Sequence, residues 1–342
     1  MNTHKIILGD CIAGMKTMPD GCVQTCITSP PYFGLRNYQG GTEEIGQEQT
    51  PESYIQKMVE VFREVRRILR DDGTVWLNLG DSYAHNVKEH NTKSDKQSSN
   101  RGTKEFLTPH RNFEGVGIKT KDMIGIPWRV AFALQADGWY LRQDIIWNKP
   151  NPMPESVTDR CTKSHEYIFL LSKKSHYYFD HEAIREPAAE SSAARMLRGV
   201  SDTHKNVNGA PGQTAHSMNK PRPRQFGAKV QEGTKRGDVG NTFVDTGKRN
   251  KRSVWTVTTK PFRGAHFATF PKDLIEPCVL AGCPVGGTVF DPFTGSGTTA
   301  IVSLKHNRNF IGTELNEDYI KIAEDRIRTE IPQTLEGVFE NE

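Results

Sequence analysis

The 342-residue sequence predicts an α/β fold, a mostly parallel twisted sheet with helices on both faces, on three observations. Short β-branched runs alternate with amphipathic helical runs, which is the grammar of parallel strands joined by crossover helices. A strand, a glycine turn and a helix follow one another between Thr288 and His306. Near the other end the run Cys22 to Thr28 stops at Ser29, Pro30, Pro31 and Tyr32, because proline cannot continue a sheet ladder. At 35% hydrophobic and 25% charged residues the composition is that of a globular chain, long enough for one large domain with an insertion or for two modest ones.

Taken in order, Lys5 to Leu8 is apolar and short, a buried strand, and Gly9 and Asp10 turn it into a brief helix from Cys11 to Met18. Cys22 to Thr28 is the second strand. Thr50 and Pro51 make a cap followed by proline in the first helical turn. From there Ile55, Met58, Val59, Phe62, Val65, Ile68 and Leu69 recur at spacings of three and four, one apolar helix face, with Gly73 as its expected stop. A strand, Thr74 to Leu79, follows. Residues 84–121 lose the periodicity and turn polar, an excursion from the fold. It resumes with a helix over Ile126 to Gly138 and strands over Trp139 to Trp147 and His165 to Ser172, which His176 to Phe179 extends or pairs with. The last third carries a helix from Lys272 to Ala281, a strand from Thr288 to Phe290, and a helix from Thr298 to His306. A strand from Asn309 to Glu314 and a helix from Glu317 to Glu330 complete it.

The expected organisation is a core of residues 1–186 and 253–330, an insertion at 187–252 and an acidic tail at 331–342. The insertion is Gly-, Pro- and Ser-rich, too long for an ordinary connection, and expected to be partly irregular. Between residues 191 and 260 stand fourteen Lys or Arg against four Asp or Glu, the footprint of a polyanionic partner such as DNA or RNA. No apolar run is long enough to cross a bilayer, and the start MNTHKIILGD has no secretory pattern, so no membrane association and a cytoplasmic address are expected. The six cysteines include no CxxC pair, and no metal site is expected.

Two places carry chemistry. Asp291, Pro292, Phe293, Thr294, Gly295, Ser296 and Gly297 form a turn whose glycines let a ligand approach bare backbone, with Thr298 opening the helix. Glu314 ends the next strand, 23 positions beyond Asp291, where a carboxylate can accept both hydroxyls of a ribose. Gly295, Gly297 and Ala300 also fit the looser GxGxxA dinucleotide pattern, so a nicotinamide-dependent oxidoreductase competes. Asp291 favours a ligand with a cationic amino group, as a methionine moiety has, over a pyrophosphate. At the second place the Ser29 hydroxyl and the Pro30 carbonyl, stiffened by Pro31, offer two acceptors for the two hydrogens of an exocyclic amino group. Tyr32 offers a flat face for a base drawn out of its duplex. Two acceptors pull those hydrogens from the ring plane and free the nitrogen lone pair for an electrophile. A covalent route through a cysteine has no supporting motif.

ITSPPY (Ile27 to Tyr32) and FDPFTGSGTT (Phe290 to Thr299) resemble the acceptor and donor motifs of S-adenosylmethionine-dependent DNA amino-methyltransferases, in the order that puts the acceptor motif first. The resemblance covers most of residues 4–183 and 253–328 and implies a Rossmann-like class I methyltransferase fold. It implies S-adenosyl-L-methionine as cofactor, double-stranded DNA as partner and, beyond the chain, a cognate restriction endonuclease. By the same likeness Asp10 and Cys11 lie at the adenine of the donor, Glu314 at its ribose, and Phe270, within His266 to Leu274, at its methionine end. Asp291, Pro292, Phe293, Gly295, Gly297 and Thr298 line the donor turn. Trp147, Asn148 and Lys149 resemble a stretch lining the base pocket, and the insertion, with Lys220, Arg222 and Arg224, takes the place of the target-recognition region. Serine at position 29 resembles the subgroup that methylates N4 of cytosine, with N6 of adenine the alternative.

Overall fold

The computed structural model describes residues 2–34, 44–84, 117–188, 248–260 and 270–331. It divides into two compact units, Met1–Ala183 with Arg252–Glu342, and Ile184–Lys251. The first is built on an eight-stranded sheet. Its strands are β1 (His4–Leu8), β2 (Val23–Thr28), β3 (Leu69–Leu79), β4 (Tyr140–Asn148) and β5 (His165–Ser172). In the second unit β6 (Glu186–Pro187) and β7 (Lys248–Arg249) form a small antiparallel pair. Back in the first, β8 (Val254–Thr256), β9 (Thr288–Asp291) and β10 (Asn309–Glu314) complete the sheet, whose spatial order is β1-β10-β9-β2-β3-β5-β4-β8.

All neighbours in that order run parallel except β5, which is antiparallel to both β3 and β4. The centre of the sheet therefore joins the two ends of the chain: β2 pairs with β9, Thr25 opposite Val289 and Cys26 opposite Phe290. The reversal of β5 sets its first residues beside the last residues of its neighbours, with Asn148 opposite His165 and Leu79 opposite Tyr167.

Side chains alternate across the strands with the period of two that a pleated ladder imposes. Cys26, Val75, Leu77, Phe169 and Phe290 join one buried cluster with Tyr54, Met58, Phe62 and Val65 of helix α2 (Pro51–Ile68) and Val130 and Leu134 of α3 (Ile126–Ala136). Met15 of α1 (Cys11–Lys16) enters the same layer. On the opposite face α4 (Lys272–Gly282) packs so closely that a methyl on Gly282 would lie 2.6 Å from the Trp76 indole nitrogen and 2.9 Å from Thr25 Oγ1. A second cluster there, Ala300, Ile301, Leu304, Phe310 and Ile327, ties α5 (Thr298–Lys305) and α6 (Glu317–Glu330) to β10.

Thr50 caps α2 as its sequence requires, its Oγ1 accepting from Ser53 N at 3.1 Å. The helix stops earlier than expected. Leu69, the last residue of the apolar face, is already extended at φ −77° and ψ 137°, and Gly73 sits inside the 11-residue strand β3. Gly73 is required there by packing rather than as a helix stop, because a side chain would collide with Leu69 and with the Gln24 carbonyl. His176 to Phe179 form no strand; that stretch is held instead by Tyr178 N donating to the Asp72 carbonyl at 2.8 Å. Most of the polar excursion and most of the basic insertion, with Lys220, Arg222 and Arg224, fall outside the described residues.

Candidate active site

Parallel sheets bind ligands beyond the carboxyl ends of their strands, and here those ends collect the strand-end residues singled out from the sequence. Along that edge stand Asp10 after β1, Glu314 ending β10, Asp291 ending β9, Ser29 after β2, and Lys149 after β4. Phe270 is half-buried and directly precedes Pro271, the cap of α4.

The two turns touch. Thr28 Oγ1, the residue before Ser29, donates to Asp291 Oδ1 at 2.7 Å. Thr299 Oγ1 donates to Oδ2 at 2.7 Å, and Phe293 N donates to Oδ1 at 3.0 Å. Asp291 is 1% exposed, so its carboxylate braces the glycine turn and the acceptor turn from inside instead of facing a ligand's ammonium. Burial first of all, opposed by these hydrogen bonds, pushes its carboxyl pKa up to about 6. The folded value therefore lies above the ordinary value of about 3.9, and the native state holds this proton more tightly between about pH 4 and 6. An Asp291→Asn variant has no such proton to take up. The stability of native protein relative to this variant should rise, by on the order of 3 kcal/mol at most, as pH falls through that window. Denaturant titrations across the window check the sign, and a difference independent of pH would show that Asp291 is not buried as an acid.

Glu314 closes the turn from the other side. Its Oε2 accepts from Gly295 N at 2.8 Å and its Oε1 from Asn316 N at 3.0 Å, leaving each oxygen one further acceptor direction. Burial raises its carboxyl pKa as well. Gly297, at φ +76°, caps α5 in the left-handed region, and a methyl there would meet the Ala323 side chain of α6 at 2.9 Å. Thr298, the first residue of α5, is 6% exposed. Pro292 is buried and its carbonyl accepts from Thr313 Oγ1 at 2.7 Å, while Phe293 is half-buried. Next along the edge Asp10 caps α1, its Oδ1 accepting from Ala13 N at 2.9 Å, and Cys11 beside it is 5% exposed. Strand β1 docks on β10 with Leu8 opposite Glu314, which brings Asp10 and Glu314 to one mouth. Bare glycine backbone flanked by the Asp10 and Glu314 carboxylates fits a nucleoside carrying a cationic tail.

In the acceptor turn Pro31 and Pro30 differ. The Pro31 carbonyl is taken by the Tyr54 hydroxyl of α2 at 2.9 Å, whereas among the described residues no donor reaches the Pro30 carbonyl. Ser29 Oγ lies 3.5 Å from the Tyr32 hydroxyl. The Tyr32 ring sits against Gly80, where a methyl would approach Cε2 to 2.6 Å. Its hydroxyl is 2.8 Å from Glu166 Oε2 and 3.1 Å from Asn78 Oδ1. Tyr32 is thus anchored by its hydroxyl as well as offering a ring face. Lys149, expected by resemblance at the base pocket, has its ammonium on Glu166 Oε1 and over the Trp147 ring, 4.2 Å from the centroid, with a side chain 18% exposed. That geometry ties Lys149 to Glu166, which also bonds the Tyr32 hydroxyl.

Sequence reasoning missed Glu166, Asn78 and Asp81. Asp81 caps α3, accepting from Gly125 N at 3.0 Å and Ile126 N at 3.1 Å. The sign for Glu166 was a polar His-Glu pair at the head of the otherwise apolar strand HEYIFLLS. Burial raises the thiol pKa of Cys11 and Cys283 to about 12 and that of Cys26 well above its ordinary value, so none of these is a thiolate nucleophile at neutral pH.

A parallel sheet with a glycine-turn nucleotide site and a Ser-Pro-Pro-Tyr turn bonded to it defines a class I, S-adenosylmethionine-dependent amino-methyltransferase. The chain belongs to the DNA methylase family of N6/N4 methyltransferases, whose profile matches residues 23–325. It is 42% identical over 327 residues to the type II methyltransferase M.SmaI of Serratia marcescens, covering 96% of this chain and 91% of that protein. It is 40% identical to M.Cfr9I of Citrobacter freundii, covering 96% and 89%. Among solved structures, PvuII DNA methyltransferase (cytosine-N4-specific) matches with a TM-score of 0.58 at 15% identity, over 95% of this chain and 86% of that one. A DNA modification methylase of Thermus thermophilus in complex with S-adenosyl-L-methionine matches with a TM-score of 0.53 at 21% identity, over 96% and 95%. The nicotinamide reading of the glycine turn gives way to these relatives. Among the described residues no helix is long and apolar enough to cross a membrane.

Proposed function

We propose that the protein methylates N4 of cytosine within a specific sequence of double-stranded DNA, the target base being turned out of the helix into the Ser29 to Tyr32 turn. The single observation that carries this reading is the 2.7 Å bond from Thr28 to Asp291, which locks the acceptor turn against the donor turn at one sheet edge. When bound, S-adenosyl-L-methionine supplies an electrophilic methyl group. The residues of the chain do the rest by positioning. Glu314 takes the ribose hydroxyls, Asp10 and Cys11 flank the adenine, and Phe270, Pro292, Phe293, Gly295, Gly297 and Thr298 enclose the remainder. The Ser29 hydroxyl and the Pro30 carbonyl accept the two amino hydrogens, which turns the nitrogen lone pair out of conjugation. Serine at position 29 supports cytosine as the target.

Lys220, Arg222 and Arg224 of the basic insertion neutralise phosphates in this reading, and the protein works in the cytoplasm beside the DNA it modifies, alongside a cognate endonuclease. DNA affinity should fall linearly in a double-logarithmic plot against salt, by about 10³- to 10⁵-fold between about 50 and 200 mM if six to ten phosphates are contacted. Binding indifferent to salt would remove the insertion from the interface. Mass spectrometry of nucleosides from DNA treated with the protein tests the target: N4-methylcytosine is the expected product, and N6-methyladenine would overturn the cytosine assignment.

A further inference from the structure

Glu166 occupies an unusual place. The strand that carries it is otherwise apolar, with Ile168, Phe169, Leu170 and Leu171 all buried, and its carboxylate stands beside the acceptor turn only because β5 runs against its neighbours. One oxygen, Oε1, meets the ammonium of Lys149, just after β4. The other, Oε2, meets the Tyr32 hydroxyl at 2.8 Å and Asn78 Nδ2 from β3 at 3.3 Å. The Lys149 and Glu166 side chains are 18% and 15% exposed. A largely buried ion pair of this kind contributes little net stability, so packing alone does not account for it. Lys163 and His165 are the other charged or titratable groups that act on Glu166.

We infer that the Glu166 carboxylate is the final acceptor of the proton that the target nitrogen loses on methylation, reached through the hydroxyls of Ser29 and Tyr32. The inference rests on the amino-methyltransferase reading above. The nitrogen lone pair forms the new N–C bond while the C–S pair stays on sulfur, which becomes a neutral thioether. The resulting N-methyl cation then breaks one N–H bond, whose electrons return to nitrogen. Its proton passes to Ser29 Oγ, the Ser29 proton to the Tyr32 oxygen, and the Tyr32 proton to Glu166 Oε2. One carboxylate is neutralised as one sulfonium is consumed, so charge balances. The geometry favours this direction: Ser29 is placed to donate to Tyr32 at 3.5 Å, and Tyr32 lies closer to Glu166 than to the neutral Asn78 carbonyl oxygen at 3.1 Å. A charged acceptor at the shorter distance takes the hydroxyl proton. A serine hydroxyl cannot by itself hold a proton it receives; it needs an anion behind it.

The test is single-turnover methyl transfer by the full-length protein with saturating donor and target DNA. Glu166→Gln, which keeps an acceptor for Tyr32, should slow transfer by about 10²- to 10³-fold. Donor and DNA affinities, measured by calorimetry, should stay within about two-fold, because the loss belongs to the reacting step and not to binding. Tyr32→Phe keeps the ring but breaks the chain of hydroxyls; it should cost about as much, and the double variant no more than either single one. A Glu166→Gln rate within about three-fold of native, or additive losses, would each overturn the relay. Should Glu166→Gln fail to fold, a native-like rate in Tyr32→Phe overturns it equally. Native protein that binds the donor but methylates no amino group overturns the underlying functional reading instead.

Discussion

Ser29→Ala should transfer methyl to DNA about 10²- to 10³-fold more slowly than native protein under single turnover, with donor affinity within about two-fold. The reason lies in what the turn leaves available. Of the two proline carbonyls that follow Ser29, that of Pro31 is already bonded to Tyr54, so Pro30 is the one left for a substrate hydrogen. Removing the Ser29 hydroxyl leaves one acceptor where the chemistry needs two, and the second hydrogen keeps the lone pair in conjugation. Donor binding is spared because no bond of the Asp291 or Glu314 carboxylates involves Ser29. Rapid-quench transfer with tritiated donor, beside calorimetric donor binding, separates the two quantities. A variant that keeps the native rate would remove Ser29 from the reacting pair and move the amino group elsewhere.

Glu314→Ala should weaken S-adenosylmethionine binding by about 10²-fold, since two hydrogen bonds from ribose hydroxyls to a carboxylate are worth about 3 kcal/mol. The carboxylate already holds Gly295 N at 2.8 Å and Asn316 N at 3.0 Å. Its loss therefore frees the glycine turn as well as the ribose, and both effects act in the same direction. Glu314→Gln, which retains one acceptor oxygen, should fall between native and alanine. Calorimetry at fixed pH gives the ranking, and unchanged affinity in the alanine variant would place the ribose away from β10.

Much of this site could be read from the chain because the residues involved sit next to their own structural signals. Ser29 follows a β-branched run and precedes two prolines; Asp291 and Glu314 end apolar strands, and glycines follow Asp291. The fold class was legible for the same reason, since strand and helix periodicities alternate in clear blocks. What escaped was anything that depends on strand direction. Glu166 is the second residue of β5, and only the antiparallel pairing of β5 with β3 and β4 carries that beginning to the edge where other strands finish. A one-dimensional pattern holds no sign of such a reversal. The inward role of Asp291 was missed because it depends on Thr28, 263 positions away in sequence and one strand away in space. Gly73 misled because a glycine after a helical run fits a helix stop equally well as a tight contact between strands.

The pairing of β2 with β9, and of β1 with β10, has a bearing on how the molecule comes into being. Strand β1 finds its partner β10, and β2, already paired with β3, its second partner β9, only when residues 288–314 have been synthesised. Contacts so distant along the chain close large loops and form late. Until then the nascent polypeptide leaves β1 unpaired and one edge of β2 open, surfaces of the kind that make incomplete chains prone to aggregate. A fragment cut short before Thr288 lacks β9 and β10, which join β1 to the rest of the sheet, so modification of DNA begins only with chains translated through β10.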